Sequence, residues 1–259
     1  MPGRYRYGHG GGRMNVVGSA IRSPSLAALA MAFLLLVAAC GSDPAPTTTE
    51  PEPELSLEEV LARTGENLAS FSTATFQMID ENETGAKFFG ATLKNVDGEV
   101  ESPDSAHIVV EVESAMGFAE IEIVAVGDVA FMKFSAGAPW NPLPLDQVPF
   151  NFVGLGVTLS NLLPLVQDAA IAATESVGGG PALRVDGTLM SEDLSTLITS
   201  ADTGHPIDLS LWIGEADHEL RQIRIAGQIF DDDGEGTSRL IILSDYNTPV
   251  DIQLPDTSA

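Results

Sequence analysis

The sequence predicts an α+β fold: a large curved antiparallel sheet, or half-barrel, with a few helices that cover its concave apolar face. Apolar residues recur at helical spacing at the start of the folded part and at a spacing of two in most of the later segments. Between two groups of strands lies an apolar segment interrupted by prolines and glycines. This order indicates about nine or ten strands, with helices at the start, in the middle and at one late insertion.

The first predicted element is a helix from Leu57 to about Ser70. Ser56 and Glu59 have the spacing of a capping box, in which the serine hydroxyl and the glutamate carboxylate each accept a backbone N–H at the start of the helix. One face of the helix collects apolar side chains and a threonine, at Val60, Leu61, Thr64, Leu68 and Phe71. This amphipathic pattern indicates that the helix packs against the sheet.

The segments after this helix alternate between apolar and polar residues, which is typical of a sheet with one buried and one solvated face. The apolar parity is formed by Ala74, Phe76, Met78, Phe89, Ala91, Leu93, Ile108, Val110, Val112, Ile121, Ile123 and Ala125. Gly127 and Asp128 then turn the chain into a strand from Val129 to Phe134. Consecutive hairpins of this kind predict an antiparallel meander.

The segment from Pro139 to Asp168 interrupts the alternation and is rich in apolar residues. Its prolines and glycines disfavour a long regular element, so we expect a loop and one or two short helices that cover the sheet. Five further strands are predicted after it, at Ala170 to Val177, Ala182 to Leu189, Ile207 to Ile213, Leu220 to Ile229 and Arg239 to Asp245. A short helix from Leu194 to Thr199, capped by residues 191–193, is expected between two of them.

The first 39 residues have the organisation of a lipoprotein signal peptide. Four arginines precede an apolar run, Leu26 to Ala39, which is too short to span a bilayer comfortably. The run ends in small residues directly before Cys40, the only cysteine in the chain. We therefore expect cleavage before Cys40 and acylation of its thiol, which would anchor the protein in the membrane. Met14 is a second candidate start codon. The alternative is an ordinary signal peptide or a weak membrane anchor, with an incidental cysteine.

The processed chain is predicted to be one tethered, acidic domain outside the cytoplasm. Residues 40–55, the lipidated cysteine and a run rich in proline, threonine and glutamate, are expected to form a disordered tether, and residues 56–256 a single domain. Removing the four arginines before Cys40 leaves eight bases against 37 acids, a net charge of about −29. Such a surface argues against nucleic-acid binding. A lone cysteine used for the lipid leaves none for disulfides.

No pattern in the sequence points to catalysis, to a cofactor or to a resident metal. The histidines His107, His205 and His218 are not at metal-ligand spacing, and surface positions are expected for them. Residues 231–235, DDDGE, could offer oxygen ligands to calcium, but they lack EF-hand spacing and are expected to form a solvated hairpin loop. The sequence has no serine-nucleophile elbow, and residues 178–181, GGGP, lack the lysine of a phosphate-binding loop.

Several short motifs, in their order along the chain, resemble the LppX/LprAFG family of actinobacterial envelope lipoproteins, which is related in architecture to the LolA and LolB lipoprotein carriers. After the Cys40 lipobox, the motifs are FSTA at 71–74, VGDVAFMK at 126–133, WNP at 140–142, ALRVDGTL at 182–189, LWIG at 211–214, DHEL at 217–220 and DYNTPV at 245–250. The segment from Pro139 to Asp168 departs most from the family pattern. The resemblance therefore says least about the size of the ligand and the route by which it enters.

The resemblance implies a non-enzymatic lipoprotein that holds acyl lipids or glycolipids in an apolar cavity and carries or presents them in the envelope, some members alongside a membrane efflux transporter. Strand parity assigns the wall of that cavity to Phe76, Met78, Phe89, Leu93, Ile108, Val110, Val112, Ile121, Ile123, Met132 and Phe134. Its cover is assigned to Phe150, Phe152, Leu155, Leu159, Leu162 and Leu163.

The same apolar residues are compatible with a filled core. Periodicity shows which side chains avoid water but does not distinguish a packed interior from a cavity that a ligand fills. The alternative function is therefore a surface or structural lipoprotein with a solid core that binds a protein partner. A hydrolase with an unconventional site is the third class, and no motif favours it.

Overall fold

A computed structural model describes residues 55–82, 86–148, 150–199, 201–234 and 236–257. The predicted signal peptide, Cys40 and the tether as far as Glu54 lie outside these residues. Glu52–Ala259 form one compact unit. In the described part of the chain, no helix is both long enough and apolar enough to cross a membrane.

The described residues form two α-helices, three short 3-10 helices and twelve strands. The helices are α1 (Leu57–Ser70) and α2 (Leu155–Leu162), and the 3-10 helices are Leu145–Gln147, Leu163–Leu165 and Ser191–Leu194. The strands are β1 (Thr73–Asp80), β2 (Lys87–Phe88), β3 (Ala91–Glu101), β4 (Ser105–Ser114), β5 (Gly117–Val126), β6 (Val129–Lys133), β7 (Asn141–Pro142), β8 (Gln167–Val177), β9 (Gly180–Met190), β10 (Pro206–Gly214), β11 (Leu220–Ala226) and β12 (Ser238–Ser244).

All these strands belong to one antiparallel sheet, in the order β7-β6-β5-β4-β3-β1-β12-β11-β10-β9-β8, with β2 pairing to β3. Two meanders, one from each half of the chain, meet where β1 pairs with β12, so that Phe76 lies opposite Leu243. The open, curved antiparallel sheet with its two helices confirms the predicted fold class. The two strands beyond the predicted number, β2 and β7, have two residues each and are too short to show a period.

Helix α1 has the predicted bounds, because its cap and its apolar face agree. The Ser56 hydroxyl accepts the backbone N–H of Glu59 at 3.3 Å, and the Glu59 carboxylate accepts that of Ser56 at 2.9 Å. Val60, Thr64 and Leu68 lie at helical spacing and are buried.

Helix α2 lies close against α1. It begins after Gly154, whose φ of 70° is in the left-handed region that glycine adopts without strain. A Cβ on Gly156 would stand 2.3 Å from the carbonyl oxygen of Leu68, so only glycine allows this approach of the two helices. The Ser160 hydroxyl also donates to the carbonyl of Gly65 at 2.9 Å. The two helices therefore pack as a pair.

Three predicted boundaries were wrong for local reasons. The predicted helix from Leu194 to Thr199 is instead a 3-10 turn over Ser191–Leu194, because the Asp193 carboxylate accepts the backbone N–H of Met190 and starts the turn earlier. Strand β11 stops at Ala226 rather than Ile229, since Gly227 has a φ of 135°. Strand β6 ends at Lys133, one residue before Phe134.

Candidate apolar binding site

Most of the predicted wall lies on the inward face of the sheet. Its buried members are Phe76, Met78, Leu93, Ile108, Val110, Val112, Ile121 and Ile123. Met132 is partly buried and packs against the same core. Alternation places these side chains on one face because successive residues of a strand point to opposite sides.

Phe89 and Phe134 do not join the inward face, and their predicted placement was wrong. Phe89 is 41% exposed and sits in the turn between β2 and β3 with a φ of 49°, so strand parity does not apply to it. Phe134 is 51% exposed and follows the last residue of β6. Phe88, one residue earlier than Phe89, is the aromatic side chain that enters the core.

The predicted cover residues all lie in the core, on the segment that we call the cover, residues 145–166. They are Phe150, Phe152, Leu155, Leu159, Leu162 and Leu163. The Phe152 ring stacks on Phe76 of β1, with centroids 5.0 Å apart and planes 19° apart. Phe150 lies parallel to Phe88 at 6.4 Å and 5.7 Å from Phe152. These rings fill the concave side of the sheet.

A small internal space lies between cover and wall. It measures about 10 Å³, roughly the volume that one water requires. It is lined by Phe76, Met78, Phe150, Phe152, Leu155, Leu197, Ile198, Ile225, Arg239 and Ile241. A lipid chain would have to displace part of the cover to reach this space.

A second apolar space, an open groove between α1 and the end of α2, was not predicted. It has a volume of about 860 Å³. Its lining is Ser56, Leu57, Glu58, Leu61, Ala62, Gly65, Glu66, Ala69, Ser160, Leu163, Pro164 and Val166. Small side chains leave this space open: Ala62, Gly65 and Ala69 recur on one side of α1. A second apolar stripe beside the buried one was the sequence signal that could have indicated it.

Three charged side chains are buried in the described residues: Arg239, Asp233 and Asp80. Arg239 of β12 is 1% exposed, and its Nη2 lies 2.8 and 3.0 Å from the two carboxylate oxygens of Asp233. The Asp233 carboxylate also accepts the backbone N–H groups of Ile229 and Phe230. The expectation that Asp233 is solvated was therefore wrong. The sequence signal was present, since Arg239 shares its strand parity with the inward-facing Ile241.

The remaining polar clusters lie away from the interior. His205 pairs with Asp231 at 2.9 Å, and His107 pairs with Glu122 at 3.0 Å. Across residues 55–257, leaving out those whose placement is not described, no group of three or more His, Cys, Asp or Glu side chains is arranged to hold a metal ion. The possible calcium ligand Glu235 lies outside the described residues.

The outer face of the sheet carries a well-formed ion pair. The Arg224 guanidinium donates from Nε and Nη2 to the two oxygens of the Glu81 carboxylate, at 2.7 and 2.9 Å. The Ser238 hydroxyl donates to the same carboxylate at 2.7 Å. The hydrogen bond from Arg224 is the largest influence on this group, and it holds the pKa of Glu81 below its ordinary value despite partial burial.

Two solved structures from mycobacteria have the same fold. LprF from Mycobacterium bovis aligns with a TM-score of 0.57 at 16% identity, covering 78% of this chain and 97% of that one. LppX from Mycobacterium tuberculosis aligns with a TM-score of 0.55 at 20% identity, covering 76% of this chain and all of that one. A LolA-superfamily protein from Nitrosomonas europaea aligns at 0.29 and 11% identity, covering 78% of this chain and 96% of that one.

The sequence comparisons assign the family. Curated proteins give no match to the sequence. The family model described as LppX_LprAFG lipoprotein matches residues 83–252, more than half of the chain. This range runs from the β1–β2 connection to the residues after β12, and so takes in the cover and every strand of the sheet except β1. The chain therefore belongs to the LppX_LprAFG lipoprotein family.

Proposed function

We propose that this protein is a non-enzymatic lipid carrier, which holds the acyl chains of lipids or glycolipids between its cover and the inward face of its sheet. The observation that carries the proposal is the aromatic cover. Phe150 and Phe152 occupy the concave face by ring stacking on Phe88 and Phe76. These rings are held on the sheet by apolar contact and not by strand pairing with it. The acyl chains of a ligand have similar polarity and can therefore replace them.

The attachments of the cover favour such an exchange. Asn151 donates to the carbonyls of Thr196 and Leu197, Phe150 forms an isolated β-bridge with Ile198, and Ser160 donates to the carbonyl of Gly65. These partners lie in the turn after Leu194 and in α1, whereas the cover contacts the sheet through apolar side chains such as Phe152 on Phe76. Opening the cover therefore costs mainly exposure of apolar area, about 25 cal/mol per Å². An acyl chain recovers that cost at about 0.8 kcal/mol per buried methylene.

The open groove between α1 and α2 supplies a route for uptake. Ser160 and Leu163 line the groove, while Phe152 and Leu155 at the other end of the cover line the internal space. The cover therefore separates the two spaces. Movement of α2 away from α1 would join them into one apolar channel leading from solvent to the wall.

We propose that a lipid anchor holds this site at the membrane. Acylation of Cys40 would hold the domain on the extracytoplasmic side of the cell membrane, on a tether that ends at the start of α1. A carrier held there can collect acyl lipids or glycolipids from the bilayer. From the family resemblance, we also propose that a membrane efflux transporter is the partner that delivers or receives the ligand.

The filled interior favours a second candidate function, a surface lipoprotein with a solid core that binds a protein partner. The turn between β4 and β5 would then be the contact surface. Met116 and Phe118 on this hairpin are 98% and 77% exposed. Exposed apolar side chains close together on a hairpin tip are typical of protein contact sites.

Native mass spectrometry separates these two functions. The anchor-free chain, Ser42–Ala259, is secreted from an actinobacterial host with a lipid-rich envelope and then measured gently, with lipid extraction of the same sample. We expect one acyl lipid per protein chain. If the secreted protein shows only the mass of the unliganded chain, the carrier function is overturned and the partner-binding function is favoured.

A reversible lock tests whether the cover must move. A Cβ built on Gly65 lies 3.4 Å from the Ser160 hydroxyl, close enough for Gly65→Cys and Ser160→Cys to form a disulfide. The anchor-free chain has no other cysteine. We expect the oxidised double variant to take up lipid at least tenfold less than its reduced form, with Ser160→Cys alone as the control. Equal uptake in both states would show that lipid does not pass between α1 and α2.

A further inference from the structure

Arg239 is the one charged residue in the lining of the internal space. That space is otherwise bounded by apolar side chains from β1, β11, β12, the cover and the Leu197–Ile198 turn. Arg239 faces inward because it has the same strand parity as Ile241 and Leu243, which are buried in the core. It stands close to Phe150 and Phe152, the rings that a ligand would displace.

The guanidinium has more donors than partners. The guanidinium has five N–H groups, and only Nη2 donates to the Asp233 carboxylate. Nε and Nη1 are buried and have no hydrogen-bond partner among the residues that the structure describes. Buried donors without acceptors are rare in folded proteins, since their hydration is lost without replacement. This arrangement indicates an acceptor that arrives with a ligand.

The charges around Arg239 favour a neutral acceptor. Its positive charge is already balanced by Asp233, with both side chains almost fully buried. A second buried acid, Asp80 of β1, lies directly opposite Arg239 in the strand register. A carboxylate or phosphate would add a further negative charge to an apolar interior, where unbalanced charge is strongly disfavoured. A carbonyl oxygen accepts N–H groups without adding charge.

We propose that Arg239 is the polar anchor for the ligand, and that it donates hydrogen bonds to the ester carbonyls of a neutral acyl lipid. The proposal rests on the carrier function and adds to it a ligand class and an orientation. The ester linkages lie at Arg239, at the start of β12. The acyl chains run along the inward face of the sheet, over Ile241 and Leu243.

A ligand series without any protein variant tests this assignment. The probes are 1,2-dipalmitoylglycerol and 1,2-dihexadecylglycerol, which have equal chains but ester carbonyls in the first and ether oxygens in the second. The ether lipid has no ester carbonyl, so the buried Arg239 donors would stay unpaired when it binds. The ether should therefore be a much poorer ligand. We expect the diester to bind the anchor-free protein at least tenfold more tightly. Dipalmitoylphosphatidic acid, which adds a negative charge, should bind more weakly than the diester.

A spectroscopic measurement locates the contact. With ¹³C-labelled ester carbonyls, hydrogen bonding to Arg239 should move the carbonyl stretching band to lower wavenumber than in an apolar solvent. In the double variant Arg239→Met with Asp233→Asn, the band should return towards the apolar position and the preference for the diester should disappear. Both charges are removed together so that Asp233 is not left buried without its cation. The amide introduced by Asp233→Asn keeps a carbonyl oxygen for the Ile229 and Phe230 N–H groups.

The outcomes distinguish the anchor from the carrier function. Tight binding of both glycerolipids with equal affinity and an unshifted carbonyl band would overturn the anchor and leave the carrier function standing. Tighter binding of phosphatidic acid than of the diester would overturn the assignment of a neutral ligand. Absence of binding for all three probes, together with an unliganded mass from the native host, would overturn both the anchor and the carrier function.

Discussion

The internal space beneath the cover and the groove between α1 and α2 are both apolar, yet one measures about 10 Å³ and the other about 860 Å³. The difference lies in side-chain size. Aromatic rings and long aliphatic side chains line the internal space, whereas Ala62, Gly65, Ala69 and Pro164 contribute to the groove. Apolar character therefore does not determine where this protein is hollow. The deciding factor is whether bulky side chains from a facing segment are available to fill the space.

The two spaces also lie on opposite sides of one segment. Helix α2 and its flanking residues lie between them, so movement of α2 away from α1 would widen the groove and connect it to the internal space. In a carrier, such a pair of spaces allows the unliganded protein to stay packed while retaining an apolar path to the surface. Substitutions in and around the two spaces can test whether the closed space, rather than the open one, is the binding site.

The largest effect is expected from Phe152→Ala, which removes the ring stacked on Phe76. Loss of a buried phenylalanine should lower the free energy of unfolding of the unliganded protein by about 3–5 kcal/mol. If lipid replaces the ring, the lipid-loaded variant should lose much less stability, because acyl chains fill the same space. Urea unfolding with and without dipalmitoylglycerol measures both values.

Phe89→Ala is the matched control for that change. Phe89 is an aromatic side chain of the same size, but it lies in an exposed turn. Its removal should change stability by less than about 1 kcal/mol, with or without lipid. An equal loss of stability for Phe152→Ala in the loaded and unloaded protein would argue for a solid core.

The sequence predicted the parts of this comparison that depend on local patterns. The bounds of α1 followed from the capping box and the helical period, and the inward parity of β1, β4 and β5 followed from alternation. The fold class followed from the order of these elements. Each of these features is set by residues close together in the chain.

The features that the sequence did not predict depend on contacts between distant segments. Phe89 has the parity of the wall, but a turn that is set by β2 pairing with β3 carries it to the surface. The groove requires the close approach of Gly156 to Leu68, which no single-segment pattern contains. Arg239 has the inward strand parity, but its partner Asp233 lies in a loop, and the pairing of the two appears only when the strand and the loop are brought together. Packing volume and ion-pair partners are properties of the assembled fold.

An intermediate effect is expected from Leu61→Gln in the groove. Leu61 is a partly buried residue of α1 that lines the open space. If the groove is the uptake route, a polar amide there should slow lipid uptake about three- to tenfold, while the equilibrium affinity changes little. Stopped-flow transfer of a fluorescent acyl lipid from vesicles measures the rate. Arg63→Gln, on an exposed part of α1 outside the groove, is the control. A fall in affinity instead of rate would identify the groove as the binding site itself.

The smallest effect is expected from Glu81→Gln, which weakens the ion pair with Arg224 on the face of the sheet opposite the cover. A half-exposed pair of this kind contributes roughly 0.5–1 kcal/mol to the free energy of unfolding at neutral pH. Because the pKa of Glu81 is lowered in the folded protein, this stabilisation is present above the ordinary glutamate pKa of about 4.3 and is lost as pH falls through the lowered value.

Urea unfolding of both proteins between about pH 7 and pH 3 should therefore show two stability curves that converge in acid. Lipid loading should be the same for both, since the pair links the residue after β1 to β11 on the face of the sheet opposite the cover. Glu111→Gln, at an exposed position of β4, should shift stability less at any pH. A loss of loading in Glu81→Gln at unchanged stability would mean that the sheet also moves during uptake, and the distinction between a fixed wall and a movable cover would have to be abandoned.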